Sequence, residues 1–403
     1  MHARGVALAV VVGALLSIAC GGEQGSPGGA YAVEARAGAD LALAVHPGPR
    51  CGQGVKVDGG SLFVAPSGAD DTANLQCAID AAIASRHATT IILGAGTFHT
   101  SQLVAKGFVG VLRGAGQNAT ILTNLDQPLF VTPVDMYLQG VPSASNPWPT
   151  LIAFLGGAFS VSDLSIQIRG VDVTQGWSIY GIPSIKGLAH AVAILGTSAK
   201  ASFVRVAVEG EPSPGDFYGV NVGNGIVFEG ALDTGATIAG RFEVRDSLFT
   251  SLVSPVPFLD TRGASAIILG NTFQNTHLGA EVSDIEDGSY AFLFNTISLS
   301  PIVADFPNSG VIVYDYCQNP PLSACGTKHM SLVLGLNRIT TPGDGIDLFT
   351  AFGDDVACSI FDNRITTDPA SGGVGVYLGP GTSGCKVVRS GAVVDDGTGN
   401  HVY

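Results

Sequence analysis

The sequence is poor in charge, and poorer still in basic side chains. Only 13% of its 403 residues are charged, and 33 acidic residues against 19 basic ones give a formal charge of −14. A surplus of negative charge disfavours binding to nucleic acid or to an anionic membrane surface. A polyanionic ligand would therefore need a bridging cation or a local basic patch. The small charged fraction also makes the chain too apolar for intrinsic disorder.

Two further absences concern metals and membranes. None of the seven cysteines stands in a Cys-x-x-Cys pair, which argues against a zinc-type metal site. The apolar run from Val6 to Ala19 is too short for a comfortable transmembrane helix. It follows an Arg and precedes small residues, so residues 1–20 are predicted to be an export signal.

The end of this signal resembles the lipobox of bacterial lipoproteins, which implies that Cys20 becomes the lipidated first residue of the mature chain. Ser17 stands where Leu is usual, and Leu16 lies one place further out. Lipidation of Cys20 is predicted, with ordinary cleavage further downstream as the alternative. Residues 21–50 are Gly-rich and are interpreted as a flexible tether before a folded domain at 51–403. The predicted location is the bacterial cell envelope or, for a secreted form, the exterior.

Without Cys20 the cysteine count is even, which in an exported chain predicts three disulfides. Six cysteines allow fifteen pairings, and proximity in sequence favours three of them. The favoured pairs are Cys51 with Cys77, Cys317 with Cys325, and Cys358 with Cys385.

Glycine, by contrast, is abundant, at 55 residues, and suits a fold of many tight turns. The chain changes its hydrophobic period once between Asp70 and Leu122. Leu75, Ile79 and Ile83 have helical spacing, and Asp70 or Asp71 can cap the helix. Short apolar strands then follow, separated by Gly-rich turns.

Three motifs in this stretch resemble the pectate-lyase superfamily of right-handed parallel β-helices: DDTANLQCAIDAA, GAGTF and LRGAG. The resemblance implies an all-β, single-chain solenoid whose N-terminal end is covered by a helix. It is specific for the fold. It does not settle the reaction, because these residues build a cap and a first coil.

Similar segments then recur along the chain, which is the signature of a solenoid. They align on an Asn near the end of each: Asn271, Asn295, Asn337 and Asn363, with Asp246 in the place of a first member. In a stack of coils these side chains are predicted to form a hydrogen-bonded ladder at a turn. The long interval before Asn337 is interpreted as one coil with an insertion or nearly two coils. Arg338 and Arg364 should point outward on neighbouring coils.

The candidate functional residues lie in long insertions between the earlier coils, at 126–150, 170–188 and 209–224. Aromatic faces stack on sugar rings, and carboxylates bind hydroxyls or act as acid and base. Asp172 and Asp216 are the candidate catalytic residues. The candidate substrate-binding residues are Trp148, Trp177, Tyr180 and Tyr218, with Phe217 beside them.

Two acidic segments are alternative sites. GDGIDLFTAFGDD supplies Asp344, Asp347, Asp354 and Asp355. The odd spacing of Asp344 and Asp347 should place them on opposite faces of a strand, and Asp-Gly is an ordinary turn. AEVSDIEDG offers enough oxygen for calcium, yet a solvated acidic turn is the favoured interpretation; its acids are Glu281, Asp284, Glu286 and Asp287. His190 lies in an apolar run and is interpreted as a core or edge histidine.

The resemblance implies action on polysaccharide, either as a lyase that uses calcium to neutralise a uronate or as a hydrolase with two carboxylates. The local motifs of those enzymes, Gly-His-Gly, Asn-Thr-Asp and Arg-Ile-Lys, are missing, so no catalytic residue can be carried over. Calcium is a candidate cofactor, and no metal ligand is assigned. Polysaccharide is the predicted partner, and the predicted membrane contact is a lipid anchor alone. The alternative is a surface module for glycan binding, adhesion or structure without turnover, since fold alone does not establish activity.

Overall fold

The computed structural model describes residues 51–52, 54–125, 150–170, 176–179, 182–186, 189–212, 221–229, 238–259, 261, 263–283, 288–300, 308–314, 329–349 and 355–403. One α-helix, α1 (Thr72–Ala84), lies near the start of these residues, and short strands with parallel pairing make up most of the rest. Parallel strands with such crossovers wind right-handed. The predicted fold class, an all-β right-handed parallel β-helix with an N-terminal capping helix, is confirmed.

Each coil contributes a strand to up to three faces, which we call sheets A, B and C. Sheet A holds β2 (Ser61–Val64), β3 (Thr89–Leu93), β6 (Val109–Arg113), β15 (Ala239–Arg245), β18 (Ser265–Leu269), β21 (Gly288–Leu293), β24 (His329–Gly335), β27 (Asp355–Phe361), β30 (Lys386–Val388) and β32 (His401–Val402). Sheet B holds β4 (Gly96–Thr100), β7 (Thr120–Asn124), β16 (Leu248–Thr250), β19 (Thr272–Thr276), β22 (Thr296–Leu299), β25 (Arg338–Thr341) and β28 (Arg364–Thr367). Sheet C holds β5 (Leu103–Lys106), β14 (Asn224–Glu229), β17 (Val256–Leu259), β20 (Ala280–Ser283), β23 (Ser309–Tyr314), β26 (Asp344–Phe349), β29 (Val376–Leu378) and β31 (Val393–Asp395).

Two long strands pass through all three sheets. They are β8 (Thr150–Gln167), which pairs with β5, β6 and β7, and β11 (His190–Glu209), which pairs with β14, β15 and β16. Antiparallel pairing occurs at β1 (Val55–Asp58) with β2, β9 (Gly176–Ile179) with β10 (Ile182–Lys186), and β12 (Glu211–Pro212) with β13 (Asn221–Val222). A 3-10 turn covers Pro369–Ser371.

Helix α1 packs on the first coil, as predicted. The Asp70 side chain accepts the Thr72 N–H at 2.8 Å, and Leu75, Ala78, Ile79 and Ala82 are buried. The Gln76 side chain accepts the N–H of Val104 at 2.9 Å and donates to its carbonyl at 2.8 Å, which satisfies the polar edge of β5. The helix therefore protects a strand edge that would otherwise be open to pairing.

The asparagine ladder is confirmed in the turns from sheet A to sheet B. Each Nδ2 donates to the next Oδ1, at 3.1 Å from Asn271 to Asn295, 3.0 Å from Asn295 to Asn337 and 2.9 Å from Asn337 to Asn363. Ser390 Oγ ends the ladder by accepting from Asn363 at 3.2 Å. All four asparagines are buried, so the ladder satisfies polar groups that have no access to water.

The prediction that Asp246 is the first ladder member is wrong by one residue. Ser247 holds that place, because its N–H donates to Asn271 Oδ1 at 3.0 Å, while Asp246 is in the left-handed conformation with φ of 52°. The long interval before Asn337 is one coil with an insertion, since β22 pairs directly with β25. Arg338 and Arg364 are exposed register neighbours, as predicted.

Two of the three predicted disulfides lie in the part of the chain that the structure describes, and both are present. Cys51–Cys77 ties the segment before β1 to α1, and Cys358–Cys385 joins neighbouring coils. Cys317 and Cys325 fall outside the described residues. Disulfides are typical of proteins that fold in an oxidising, non-cytoplasmic compartment.

Candidate functional site

The long connections of the chain all border sheet C. The stretches 126–149 and 301–307 lead from sheet B to sheet C, and 230–237 and 315–328 lead from sheet C to sheet A. From Asp246 onward, by contrast, the connections from sheet A to sheet B are the short ladder turns. Function on a rigid scaffold concentrates in its long loops. Sheet C is therefore the candidate functional face.

The candidate residues from the insertions belong to connections that reach this face. Trp148, Asp172, Tyr180, Asp216, Phe217 and Tyr218 lie outside the described residues. Trp177 is on β9, opposite Ile185 of β10. The connections end at Thr150, at the start of β11 and at the start of β14, where Thr150 pairs with His190 and His190 with Asn224. Three successive insertions thus enter sheet C at neighbouring positions.

The outer face of sheet C changes character along the stack. In the first coils it carries the buried apolar residues Ala153, Ala193 and Leu195, with Val104 and Leu155 packed against them. Further along, the strand registers place Pro257 beside Glu281, Glu281 beside Ile312, and Ile312 beside Asp347. Tyr377 follows Asp347 in the same column. The column therefore passes from apolar to acidic.

Asp344 and Asp347 lie on one face of β26, and the expectation that they point to opposite faces is wrong. Ile346 is fully buried in the core, and a side chain at Gly345 would collide with Ile365, so positions 345 and 346 both face inward at the corner between sheets B and C. Because two consecutive residues face inward, Asp344 and Asp347 lie on the same face although they are three positions apart. Asp344–Phe349 forms a strand, whereas the sequence favoured a turn here.

Asp347 is a buried acid of this face with a strongly raised pKa. Burial raises the pKa of Asp347 to about 7, and the negative charge of Asp344 adds to the shift. Asp347 is only 7% exposed, and its Oδ1 has no hydrogen-bond partner among the described residues. A buried carboxyl that is half-protonated near neutral pH and has an unused acceptor is a candidate acid or binding group.

The neighbouring Tyr377 belongs to the same cluster. Partial burial raises the pKa of Tyr377, and a hydrogen bond to Asp396 and the charges of Asp396, Asp347 and Asp344 raise it further. Its hydroxyl donates to Asp396 Oδ2 at 3.1 Å. We call Asp344, Asp347, Tyr377 and Asp396 the acidic cluster.

Glu281 is the acid in the same column two coils before Asp347. It is 8% exposed and lies on β20, so the interpretation of its segment as a solvated turn is wrong for Glu281 itself. The rest of that segment, at 284–287, is outside the described residues. Asp354 is outside them too.

The histidine nearest this face is neutral. His190 Nε2 lies 4.0 Å from Glu229 Oε2, and Asn224 Nδ2 lies 3.4 Å from His190 Nδ1. Burial lowers the pKa of His190 to about 3, so the pair is a neutral imidazole beside a carboxyl. His190 is buried, so its interpretation as a core or edge histidine is confirmed.

Sequence reasoning missed the shared column of Glu281 and Asp347, although a signal for it exists. Counted from the true ladder positions, Pro257, Glu281 and Asp347 each lie ten residues after a ladder residue, respectively Ser247, Asn271 and Asn337. The count for Glu281 and Asp347 uses only the ladder asparagines, and Pro257 joins it once Ser247 is placed first in the ladder.

Two further findings on the described residues concern metal ions and membranes. No three His, Cys, Asp or Glu side chains in this part lie together in a way that could hold a metal ion, so the candidate calcium has no assigned ligands. Within the same ranges, no helix has the length and apolar character needed to cross a bilayer.

Comparisons with known proteins give only remote likenesses. No protein-family model matches the chain, and no curated protein matches it. Among solved structures it is similar to the Azotobacter vinelandii mannuronan C-5 epimerase AlgE4 A-module, at 14% identity over 83% of this chain and 94% of that one, with a TM-score of 0.36. It is similar to the Dettilon tailspike protein, at 12% identity over 85% and 68% of the two chains with a TM-score of 0.42. It is also similar to the Agl-KA catalytic domain, at 12% identity over 87% and 69% with a TM-score of 0.37.

Proposed function

We propose that this chain binds polysaccharide along the outer face of sheet C and hydrolyses its glycosidic bonds. The observation that carries the proposal is Asp347, a buried carboxyl with a pKa of about 7 and an oxygen without a hydrogen-bond partner among the described residues. A general acid works best when its pKa lies near the working pH. Asp347 supplies the proton to the leaving sugar oxygen.

Glycoside hydrolysis needs a second, ionised carboxylate. Asp344 is on the same face, and its negative charge contributes to the raised pKa of Asp347. Asp344 is therefore the candidate base. Glu281 is in the same column as Asp347, two coils away with Ile312 between them, and is a candidate binding group.

The insertions at the border of sheet C extend the proposed binding surface. In this proposal Trp148, Trp177, Tyr180 and Tyr218 stack on sugar rings, and Asp172 and Asp216 bind sugar hydroxyls or supply an alternative catalytic pair. We also propose that the chain is exported and that lipidation of Cys20 fixes it to the envelope, where polysaccharide is accessible. Replacing Cys20 by Ser should then release the protein from the membrane fraction.

The test is cleavage of a polysaccharide panel by the wild type and by matched variants. We expect Asp347→Asn to lose about 100-fold or more of the rate of reducing-end release, because the proton donor is gone. Asp58→Asn, an exposed substitution on β1, is the control and should keep full activity.

The same assay separates the remaining possibilities. Full activity of Asp347→Asn, with loss in Asp172→Ala and Asp216→Ala, would move the chemistry to the insertions. Glycan binding without any released product would leave the non-catalytic binding module as the function. An ultraviolet-absorbing unsaturated product would identify a lyase instead.

A further inference from the structure

We infer that the glycan bound at sheet C is neutral or amino-substituted and is not a polyuronate. This inference rests on the proposed function and names the substrate class of the same surface. It follows from where the charged side chains of this chain lie.

Acidic groups dominate sheet C. Its described strands carry Glu229, Glu281, Asp344, Asp347 and Asp395. The basic side chains on those strands are Lys106, which is exposed on the first coil, and His190, which burial keeps neutral. A uronate carboxylate would meet like charge along most of this face.

The basic residues lie on the other faces. Arg338 and Arg364 are neighbours on the exposed surface of sheet B. Lys200, Arg241 and Arg245 lie on strand segments of sheet A. Arg205 and Arg389 are in the turns after sheet A, where each forms a two-bond ion pair, with Asp163 and Asp362 respectively. Among the described residues, basic side chains are thus concentrated on sheets A and B and in the turns between them, whereas the charged side chains on sheet C are almost all acidic.

The sequence of the connections that border sheet C reinforces this segregation. Between residues 126 and 354 their basic residues are Arg169, Lys186, Arg262 and Lys328. Arg169 is already paired with Glu209 at 2.9 Å. Acidic residues are more numerous there, and residues 284–287 alone read Asp-Ile-Glu-Asp. The sequence of these connections therefore contains few basic residues that could offset the negative charge of sheet C.

The buried Asp347 oxygen indicates what this face can bind. Oδ1 of Asp347 has no hydrogen-bond partner in the described structure, and the side chain is 7% exposed. An unused buried acceptor is costly until a donor reaches it. Sugar hydroxyls and ammonium groups are donors of this kind. An ammonium group would also be attracted by the negative charge of the neighbouring acidic side chains.

The test compares binding within pairs of polymers that share a backbone. The pairs are polygalacturonate with its carboxyl-reduced form, and carboxymethyl cellulose with hydroxyethyl cellulose, and chitosan is a cationic polymer. Binding is measured by affinity electrophoresis at about 20 mM salt and again at about 0.5 M, with calcium and with chelator. We expect the neutral member of each bound pair to bind about tenfold tighter at low salt, with the difference shrinking at high salt.

Substitutions test whether the acidic residues of sheet C cause the preference for neutral polymers. Glu281→Gln should reduce the discrimination against the anionic polymer, whereas Glu243→Gln on sheet A, a matched control, should leave it unchanged. Equal or tighter binding of a uronate polymer, with or without calcium, would overturn this inference and leave the proposed function standing. If no polymer of any charge binds, the proposed function fails and the inference falls with it.

Discussion

At the scale of single residues, the fold opposes the ionisation of Asp347. Its pKa rises from an ordinary value of 3.8 to about 7, chiefly because it is buried. A group with a raised folded pKa contributes stability that is fully present below its unfolded pKa. This contribution is lost as the pH rises through about 7. The ionised Asp347 side chain therefore lowers the free energy of unfolding above about pH 7. Such a cost in stability is typical of a residue retained for function.

We predict that Asp347→Asn stabilises the protein at high pH. The neutral amide removes a buried negative charge, so the free energy of unfolding should exceed that of the wild type by about 2–4 kcal/mol near pH 9 and change little near pH 4. Denaturant unfolding at both pH values measures this. Asp58→Asn on the exposed β1 strand should show no such pH-dependent gain. Equal stability of Asp347→Asn and wild type at pH 9 would contradict the assigned burial cost.

At the scale of elements, the ladder turn is the unit that repeats. Each ladder amide also bonds the backbone, as when Asn337 Nδ2 donates to Phe292 O at 2.9 Å and the Asn295 N–H donates to Asn337 Oδ1 at 2.9 Å. One side chain thus serves three coils. Removing it leaves buried partners unsatisfied on both sides.

We predict that Asn337→Ala destabilises the protein by about 2–4 kcal/mol. The loss combines a missing hydrogen-bonded amide with orphaned groups on Asn295 and Asn363. The control is Thr340→Ala, an exposed position on the next strand of the same coil, where the change should be within about 0.5 kcal/mol. Thermal unfolding of the two variants compares them, and similar melting temperatures would show that the ladder adds no stability.

The elements also show what could be predicted from sequence. Helix α1, the Gly-bounded strands around it and the asparagine register were predictable, because helical spacing, turn glycines and a fixed repeat each leave a local pattern. The position of Asp344 relative to Asp347 was not, since a corner irregularity at Gly345 and Ile346 overrides strand alternation. The burial of Glu281 and Asp347 depends on neighbours from other coils, and no local pattern reports it.

At the scale of the whole molecule, buried histidines oppose Asp347 in their effect on stability. Burial lowers the pKa of His190 to about 3 and that of His277 to about 4. Both are neutral in the folded chain, whereas in the unfolded chain they bind protons below about pH 6.5. Their contribution is therefore present above the unfolded pKa and is lost as the pH falls.

We predict that acidification from about pH 6.5 to 4.5 lowers the free energy of unfolding by about 2 kcal/mol for each of these histidines. In His277→Gln the pH dependence should be shallower by that amount, as judged by denaturant unfolding across the range. His87→Gln, an exposed position after α1, should leave the slope unchanged. A slope in His277→Gln equal to that of the wild type would contradict a neutral buried His277.

The single coil between Asn295 and Asn337 has a wider consequence. It holds many more residues than its neighbours, yet β22 still pairs with β25 and the ladder bond remains 3.0 Å. Strand register is thus independent of how much chain a coil inserts at its border. Tandem duplication of one coil would lengthen the molecule by about 4.8 Å, and growth of a loop would diversify its ligands, each without disturbing the other. The length of the solenoid and its ligand specificity can therefore evolve independently.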